Sequence, residues 1–414
     1  MRTFSKWLAG AVLALLLGAS LTLLLALEAS PRVGARDDVS PADIDRAVAM
    51  ARQHDPRQAP PGQLHRVPLR ERDVDLLLQH AAQRWLAANT RVRLEPGRLI
   101  VLASRAGPFG RWLNLELELR QTAALPQIER LRLGSLPLPT ALAIPLLQTV
   151  ASRHGVQAEA LLAVEWIERV TFAKDQLTVS YRFAADTTSR LRSALVAPAD
   201  QQRLRAYAER LAALTRDIDV GEVAVARLLV PLFALAAERS AGSDDAVAEN
   251  RAALLAVTFY ANQRPLGLIV PAAYSWPTPR PLRVTLQRRD DFALHFLISA
   301  VIAAEAGTPL ADAVGLWKEL ADARQGGSGF SFNDLAADRA GARFGDLAVR
   351  AAQRLQARIA ASGGEADFMV DASDLPEFLP ETEFVARYGG VGGTAYNRLL
   401  AEIEARVDAL PLFR

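Results

Sequence analysis

Asp291 and His295 stand four residues apart at the head of an apolar run, DFALHFLISAVIAAEAG. Lys318, Glu319 and Asp322 follow in LWKELADAR, with Arg324 just beyond. Asp334 and Asp338 are again four apart, in DLAADRAGARFG. Residues three or four apart share one face of a helix, so three helices can point an imidazole and several carboxylates at one spot. Three kinds of chemistry use such a set. The first is a buried polar network, with Lys318 paired to Asp322 and Asp291 capping its helix or orienting His295. The second is a metal site, for which Glu319, Asp322, Asp334 and Asp338 are the candidate ligands. One imidazole with several carboxylates suits a divalent Mg, Mn or Fe ion better than zinc, which favours more nitrogen or sulfur. The third is metal-free acid–base catalysis, with His295 as base, Asp291 holding its tautomer, and Lys318 or Arg324 meeting an anion. Burying these charges unpaired costs on the order of several kcal/mol apiece. They must therefore face one another, a metal, a ligand or water, which makes them the candidate site.

Other polar residues offer less. His54, His65, His80 and His154 lie in separate, mostly polar stretches and read as surface residues. Glu165 beside Trp166 hints at a carboxyl in an apolar pocket, but reads more simply as a helix-surface group. RYGGVGGTAYN (387–397) has neither a lysine nor a preceding strand, so it reads as a close-packed turn before a closing helix at 396–409 rather than a phosphate loop. No nucleophile elbow, zinc-protease motif or dinucleotide fingerprint occurs. The absence of cysteine excludes disulfides, thiol catalysis, Cys-ligated zinc and a lipidated N-terminal Cys.

The run D-x-x-x-H-F-x-x-S-A, followed by K-E-L-x-D-x-R-x-x-G-S-G-F-S-F-x-D-x-x-x-D-x-x-G-x-x-x-G, spans residues 291–345. It resembles the YfiM-like family of bacterial envelope lipoproteins and, more loosely, the VanZ-like membrane proteins. Carried over by position, the family's polar residues are Asp291, His295, Lys318, Glu319, Asp322, Arg324, Ser331, Asp334 and Asp338. Both resemblances imply a cell-envelope setting, and neither brings an established reaction. The lipoproteins are tethered through an N-terminal Cys that is missing here. More weakly, residues 67–183 are similar to anchored extracytoplasmic domains of the YpmS type, some of which are suspected of cradling lipids.

The elements that must position these groups follow from hydrophobic patterning. The chain has 414 residues, 50% of them hydrophobic and 23% charged, with a net charge of +2. That composition builds folded cores, excludes wholesale disorder and gives no basic tract for nucleic acid. Arg2 and Lys6 precede an uncharged run, Trp7–Leu27. As a helix its 21 residues would span about 32 Å, close to a bilayer's hydrocarbon thickness. The expectation is an uncleaved anchor occupying 1–27, a single pass through the inner membrane, with the bulk of the chain periplasmic. A polar linker, 28–66, would lead to an α+β domain at 67–189 with an antiparallel sheet. Its helical start (69–86) carries Val74, Leu76, Leu77 and Leu78 on one broad face. Strands follow, of which LNLELELR (113–120) is clearest, with Glu116 and Glu118 facing water. Helices at 140–152 and 157–167 precede a hairpin, 170–183, turning at Lys174–Asp175. A helical region (190–270), a Pro-rich connector (271–289) and a YfiM-like helical domain with a C-terminal extension (290–414) complete the order. Ser331 is the expected N-cap of the Asp334/Asp338 helix, and Gly341 and Gly345 allow close helix contact.

These readings lead to two expectations. The first is an envelope protein, without established catalysis, that binds a lipid, a lipid-linked intermediate or an envelope partner. The second is a metal-dependent or His/carboxylate hydrolase or transferase acting on an envelope lipid or glycan.

Overall fold

The computed structural model describes residues 26–34, 39–54, 62–142, 144–145, 149, 167–182, 196–219, 221–242, 245–306, 314, 318–319, 322 and 327–414. The chain divides into two compact units. The first comprises Met1–Asp37 and Met50–Leu191, the second Asp38–Ala49 and Arg192–Arg414.

In the first unit the period-2 runs form antiparallel strands, as their alternation predicts. In order these are β1 (Leu27–Glu28), β2 (Leu64–Arg70), β3 (Ala88–Glu95), β4 (Arg98–Ala106), β5 (Trp112–Arg120), β6 (Gln127–Leu133), β7 (Leu136–Pro137), β8 (Ile167–Ala173) and β9 (Gln176–Arg182). One sheet runs β3-β4-β5-β6-β7, with β1 added to β5, and a second runs β2-β9-β8. The β8–β9 hairpin turns at Lys174–Asp175, as expected, with Asp175 at φ +59°. Val74, Val92, Leu94, Leu99, Val170, Phe172 and Leu177 form the core between these elements.

Two expectations for this unit fail locally. Helix α2 (Glu71–Leu86; α1 is Pro41–Gln53) buries Val74 but leaves Leu77 62% exposed. It turns a polar stripe toward β3 instead. Glu71, Asp75 and Gln79 accept hydrogen bonds from the backbone N–H groups of Leu94, Val92 and Thr90, at 2.6, 2.7 and 2.5 Å. Four helical residues rise about 6 Å and two strand residues about 6.6 Å, so the two spacings match rung for rung. Glu118 is likewise not in water. Its side chain is buried between Arg98 and Arg130, 3.1 and 3.4 Å away.

The expected membrane helix is corrected here. Most of Trp7–Leu27 lies outside the described residues, but its end does not. Leu27 is buried and, with Glu28, pairs as a strand with Leu113 and Trp112. Backbone hydrogen-bonded into a sheet cannot also be the last turn of a helix in lipid. Among the described residues no helix is long and apolar enough to cross a membrane. The two longest, of 19 residues each, carry charges in nearly every turn. The described residues thus do not support the reading of a single-pass inner-membrane protein. The expected helices at 140–152 and 157–167 lie largely outside the described residues; Thr140–Leu142 forms a 3₁₀ turn, and Ile167 already begins β8.

The second unit is mainly helical. It contains α3 (Pro198–Arg216), α4 (Val225–Arg239), α5 (Ala246–Ala261), α6 (Asp290–Ala306), α7 (Phe332–Arg350), α8 (Ala352–Ala360), α9 (Glu381–Tyr388) and α10 (Thr394–Asp408). The Pro-rich segment before α6 holds a feature that patterning missed: β11 (Arg283–Thr285) pairs in parallel with β10 (Glu222–Ala224). The nearly all-apolar α4 is buried, as such helices usually are, with Leu228, Leu229, Leu232 and Phe233 fully enclosed. Phe296, Phe344 and Phe368 meet at centroid separations of 5.4 to 6.2 Å.

The tightest packing joins α6 to α7. A Cβ built on Gly341 would stand 2.1 Å from the Phe296 carbonyl oxygen, and one on Gly345 would stand 2.1 Å from that of Ala300. Both contacts step by four residues in the same direction, so the helices run in the same sense with backbones touching. Overpacking of this kind costs about 1–3 kcal/mol, occasionally more, and here the obstacle is backbone. Gly341→Ala is therefore expected to lower unfolding free energy by at least the upper part of that range, measured by urea denaturation. An equivalent Ala at exposed Gly392, after allowance for its positive φ, should cost less.

Candidate functional site

His295 lies on the face of α6 that meets α7, 6% exposed. Its Nδ1 is 3.1 Å from Asp338 Oδ1, and the same oxygen accepts a 2.8 Å hydrogen bond from Ser299 Oγ. Its Nε2 faces a second group of residues: Lys318 Nζ at 2.9 Å, Asp334 Oδ2 at 3.6 Å and Glu319 Oε1 at 3.9 Å. Lys318, Glu319 and Asp322 are helical. Glu319 is completely buried, and its Oε2 accepts the backbone N–H of Ser331 at 2.9 Å. Lys318 donates to Asp322 at 2.9 Å and keeps nearly half its side chain in solvent. Three segments thus converge as their spacing implied.

The predicted residues do not all take the expected places. Asp338, not Asp291, holds the Nδ1 side of His295. Asp291 is drawn to Arg289, at 3.1 and 2.5 Å, and also accepts the N–H of Phe292 at its own helix start. Asp322 lies outside the inner group, on the solvent side of Lys318. Ser331 occupies the N-cap position, but its hydroxyl accepts from Phe378 N at 3.2 Å rather than capping α7. Arg324, His154, Glu165 and Trp166 lie outside the described residues. His65 stacks on Tyr181 at a centroid separation of 5.5 Å in the first unit, remote in sequence from this cluster.

Some contributors escaped sequence reading. Ser299 continues the Asp291–His295 step by four, so its place was readable. Arg289, Asn333 and Glu377 were not. Arg289 bonds Glu377 at 2.7 Å, sits 3.9 Å from Asp334 and lies over the Phe292 ring at 4.1 Å. Asn333 donates to the same Glu377 oxygen at 2.5 Å. Glu377 arrives from a loop far along the chain, and no local pattern announces it.

The electrostatics follow from burial. Burial, reinforced by repulsion from Asp334, pushes the Glu319 carboxyl up to about 8. Burial likewise raises Asp334 above the usual carboxylate range, against the opposing pull of His295. For His295, burial disfavours the charged form, but the Asp338 and Asp334 carboxylates outweigh it and lift the ring to about 9. The ammonium of Lys318 acts the other way. Once the ring is neutral, above about 9, an ammonium 2.9 Å from Nε2 needs an unprotonated nitrogen there, so the remaining proton sits on Nδ1, toward Asp338. That tautomer presents the Nε2 lone pair to a cation.

Three buried carboxylate oxygens of this cluster have no hydrogen-bond partner: Glu319 Oε1, Asp334 Oδ1 and Asp338 Oδ2. Leaving such oxygens unmatched is costly. His295, Glu319 and Asp338 each offer one ligand atom within 4.8 Å of the others. This buried His/Glu/Asp set can hold a metal ion, and its donors, one nitrogen with oxygens, fit that use.

Proton uptake on folding gives a pH signature. Unfolded, Glu319 loses its proton near the ordinary 4.5 and His295 near 6.5; folded, they hold protons to about 8 and about 9. Both contributions are present at acid pH and are lost as pH rises through those folded values. Metal-free protein should therefore melt at progressively lower temperature from pH 5 to pH 9, by about 5 °C or more. Glu319→Gln should flatten this fall, as followed by circular dichroism.

Compared with family models, curated proteins and solved structures, the chain matches none.

Proposed function

We propose that the second unit binds one divalent cation of the Mg, Mn or Fe type through His295, Glu319 and Asp338, with Asp334 as a further acidic ligand. The centre would serve a metal-dependent hydrolase or transferase. The observation that carries this reading is the trio of unpartnered buried oxygens on the three carboxylates that face His295. Carboxylates pinned by their own ion pairs would favour a purely structural network instead. The tightest ion pairs close the outside, where Arg289 satisfies Asp291 and Glu377, and Lys318 satisfies Asp322; Glu319 and Asp334 have only longer pairs of 3.6 to 3.9 Å, and each inner carboxylate keeps one oxygen without a hydrogen bond. The inner oxygens remain to be matched. Hard oxygen donors with a single imidazole suit these ions better than zinc.

Lys318 supplies the route and the selectivity. Its ammonium lies on the same side of Nε2 that a metal would use, so the two compete, and its stem reaches solvent. Displaced outward, it would stand beside the metal and attract an anionic substrate group. Asp338 would reach the metal with Oδ2, the oxygen that its contacts through Oδ1 with the His295 ring and Ser299 leave free. A metal held there polarises a bound water or substrate oxygen.

Titration of the purified full chain with Mn²⁺, by calorimetry and electron paramagnetic resonance, tests this. One site is expected, abolished in His295→Ala and in Asp338→Asn. Lys318→Met should bind about tenfold more tightly, since it removes the competing charge. No binding of Mn²⁺, Mg²⁺ or Fe²⁺ by folded protein, or binding indifferent to these variants, would overturn the proposal.

A further inference from the structure

The second unit also carries a groove of about 320 Å³ that the cluster does not use. Leu211, Ala256, Tyr260, Leu266, Tyr274 and Trp276 line it, together with four prolines between Pro265 and Pro281. Prolines have no N–H to offer, so that wall is poor in donors. The wall is also fixed in place. Tyr260 donates its hydroxyl to the Arg280 carbonyl at 2.7 Å, and Arg280 N donates to Thr215 Oγ1 at 3.1 Å. Gln263 lines the groove too, but its amide is already engaged with the carbonyls of Tyr260 and Leu282. Gly267 makes room for one edge: a Cβ there would meet the Tyr274 ring at 2.4 Å, and that ring, 67% exposed, forms a lip.

Charge decides the occupant. No acidic residue lines the groove, and its one cation, Arg264, has no ion-pair partner among the described residues. The volume is at the low end of the roughly 300–1,000 Å³ of ligand sites, enough for one aliphatic chain and not two. We propose that the groove binds a single-chain amphiphile with one anionic head, such as a medium-chain carboxylate. Its chain lies along Leu211, Leu266 and the aromatic rings, and its head meets Arg264. The proposal stands independently of the metal centre.

The test uses the full chain and two probes of equal chain length below their micellar concentrations, decanoate and decyltrimethylammonium. Isothermal calorimetry should show decanoate binding at one site, with a change in Trp276 fluorescence that Trp276→Phe removes. Arg264→Gln should weaken decanoate about tenfold. Ala273→Phe, which places a ring in the groove, should abolish binding while thermal unfolding shows the variant still folds. Equal affinity for the cationic probe would overturn recognition of an anion. Failure of decanoate to bind, or binding untouched by both variants, would overturn the site itself.

Discussion

The contact on which the candidate site depends is backbone against backbone, where Gly341 and Gly345 meet the carbonyls of Phe296 and Ala300. Side chains of ordinary size would hold two helices about 8–10 Å apart, and these glycines remove that spacer. Only then can short carboxylates on α7 reach an imidazole on α6. Asp338 lies one turn before Gly341, and His295 immediately precedes Phe296. The 3.1 Å contact between Asp338 and His295 is therefore a direct result of the close approach. Aromatic packing of Phe296 and Phe344 then fills the space beside the seam and holds it rigid.

The polar cluster is a poor means of stabilising such a seam. Well-packed apolar side chains would join two helices at least as well as buried charges, which lose hydration that their pairing only partly restores. The arrangement makes more sense as a place where negative charge is held ready. Glu319 is buried beside the like charge of Asp334 and fixed by one backbone N–H, with Lys318 and His295 no nearer than 3.8 and 3.9 Å. Lys318 is long, half in solvent and tied outside to Asp322, so it can leave without disturbing the core. A rigid set of acceptors beside a movable cation is a combination suited to exchange.

Much of this was readable from the chain. Repeats of four placed His295, Asp334 and Asp338 on facing helical stripes, and glycines at steps of three and four marked the seam. Alternation gave the antiparallel strands, and Lys174–Asp175 gave the hairpin turn. What failed depended on partners that periodicity does not reveal. Asp291 looked like the orienting acid for His295 because both share a face, but Arg289, two residues earlier, takes it. Glu377 enters from a loop that no periodicity links to α7. Leu77 and Glu118 defied simple amphipathicity because tertiary pairing reverses their surroundings: one helix face follows backbone donors, and one strand glutamate meets two arginines. Leu27 was assigned by composition to an apolar helix, yet β6 leaves the start of β5 unpaired, and that vacancy draws Leu27 into a strand.

The ladder between α2 and β3 carries a consequence for the first unit. An outermost strand normally displays bare amides that invite another chain to add on, which is how sheets grow into fibres or swapped pairs. Glu71, Asp75 and Gln79 occupy those amides along most of the strand, so an incoming chain finds no free donors and meets carboxylates instead. At the opposite margin β7 is two residues long, ends in Pro137 and covers only Arg132 and Leu133 of β6. The β3 margin is thus closed by a helix of its own unit.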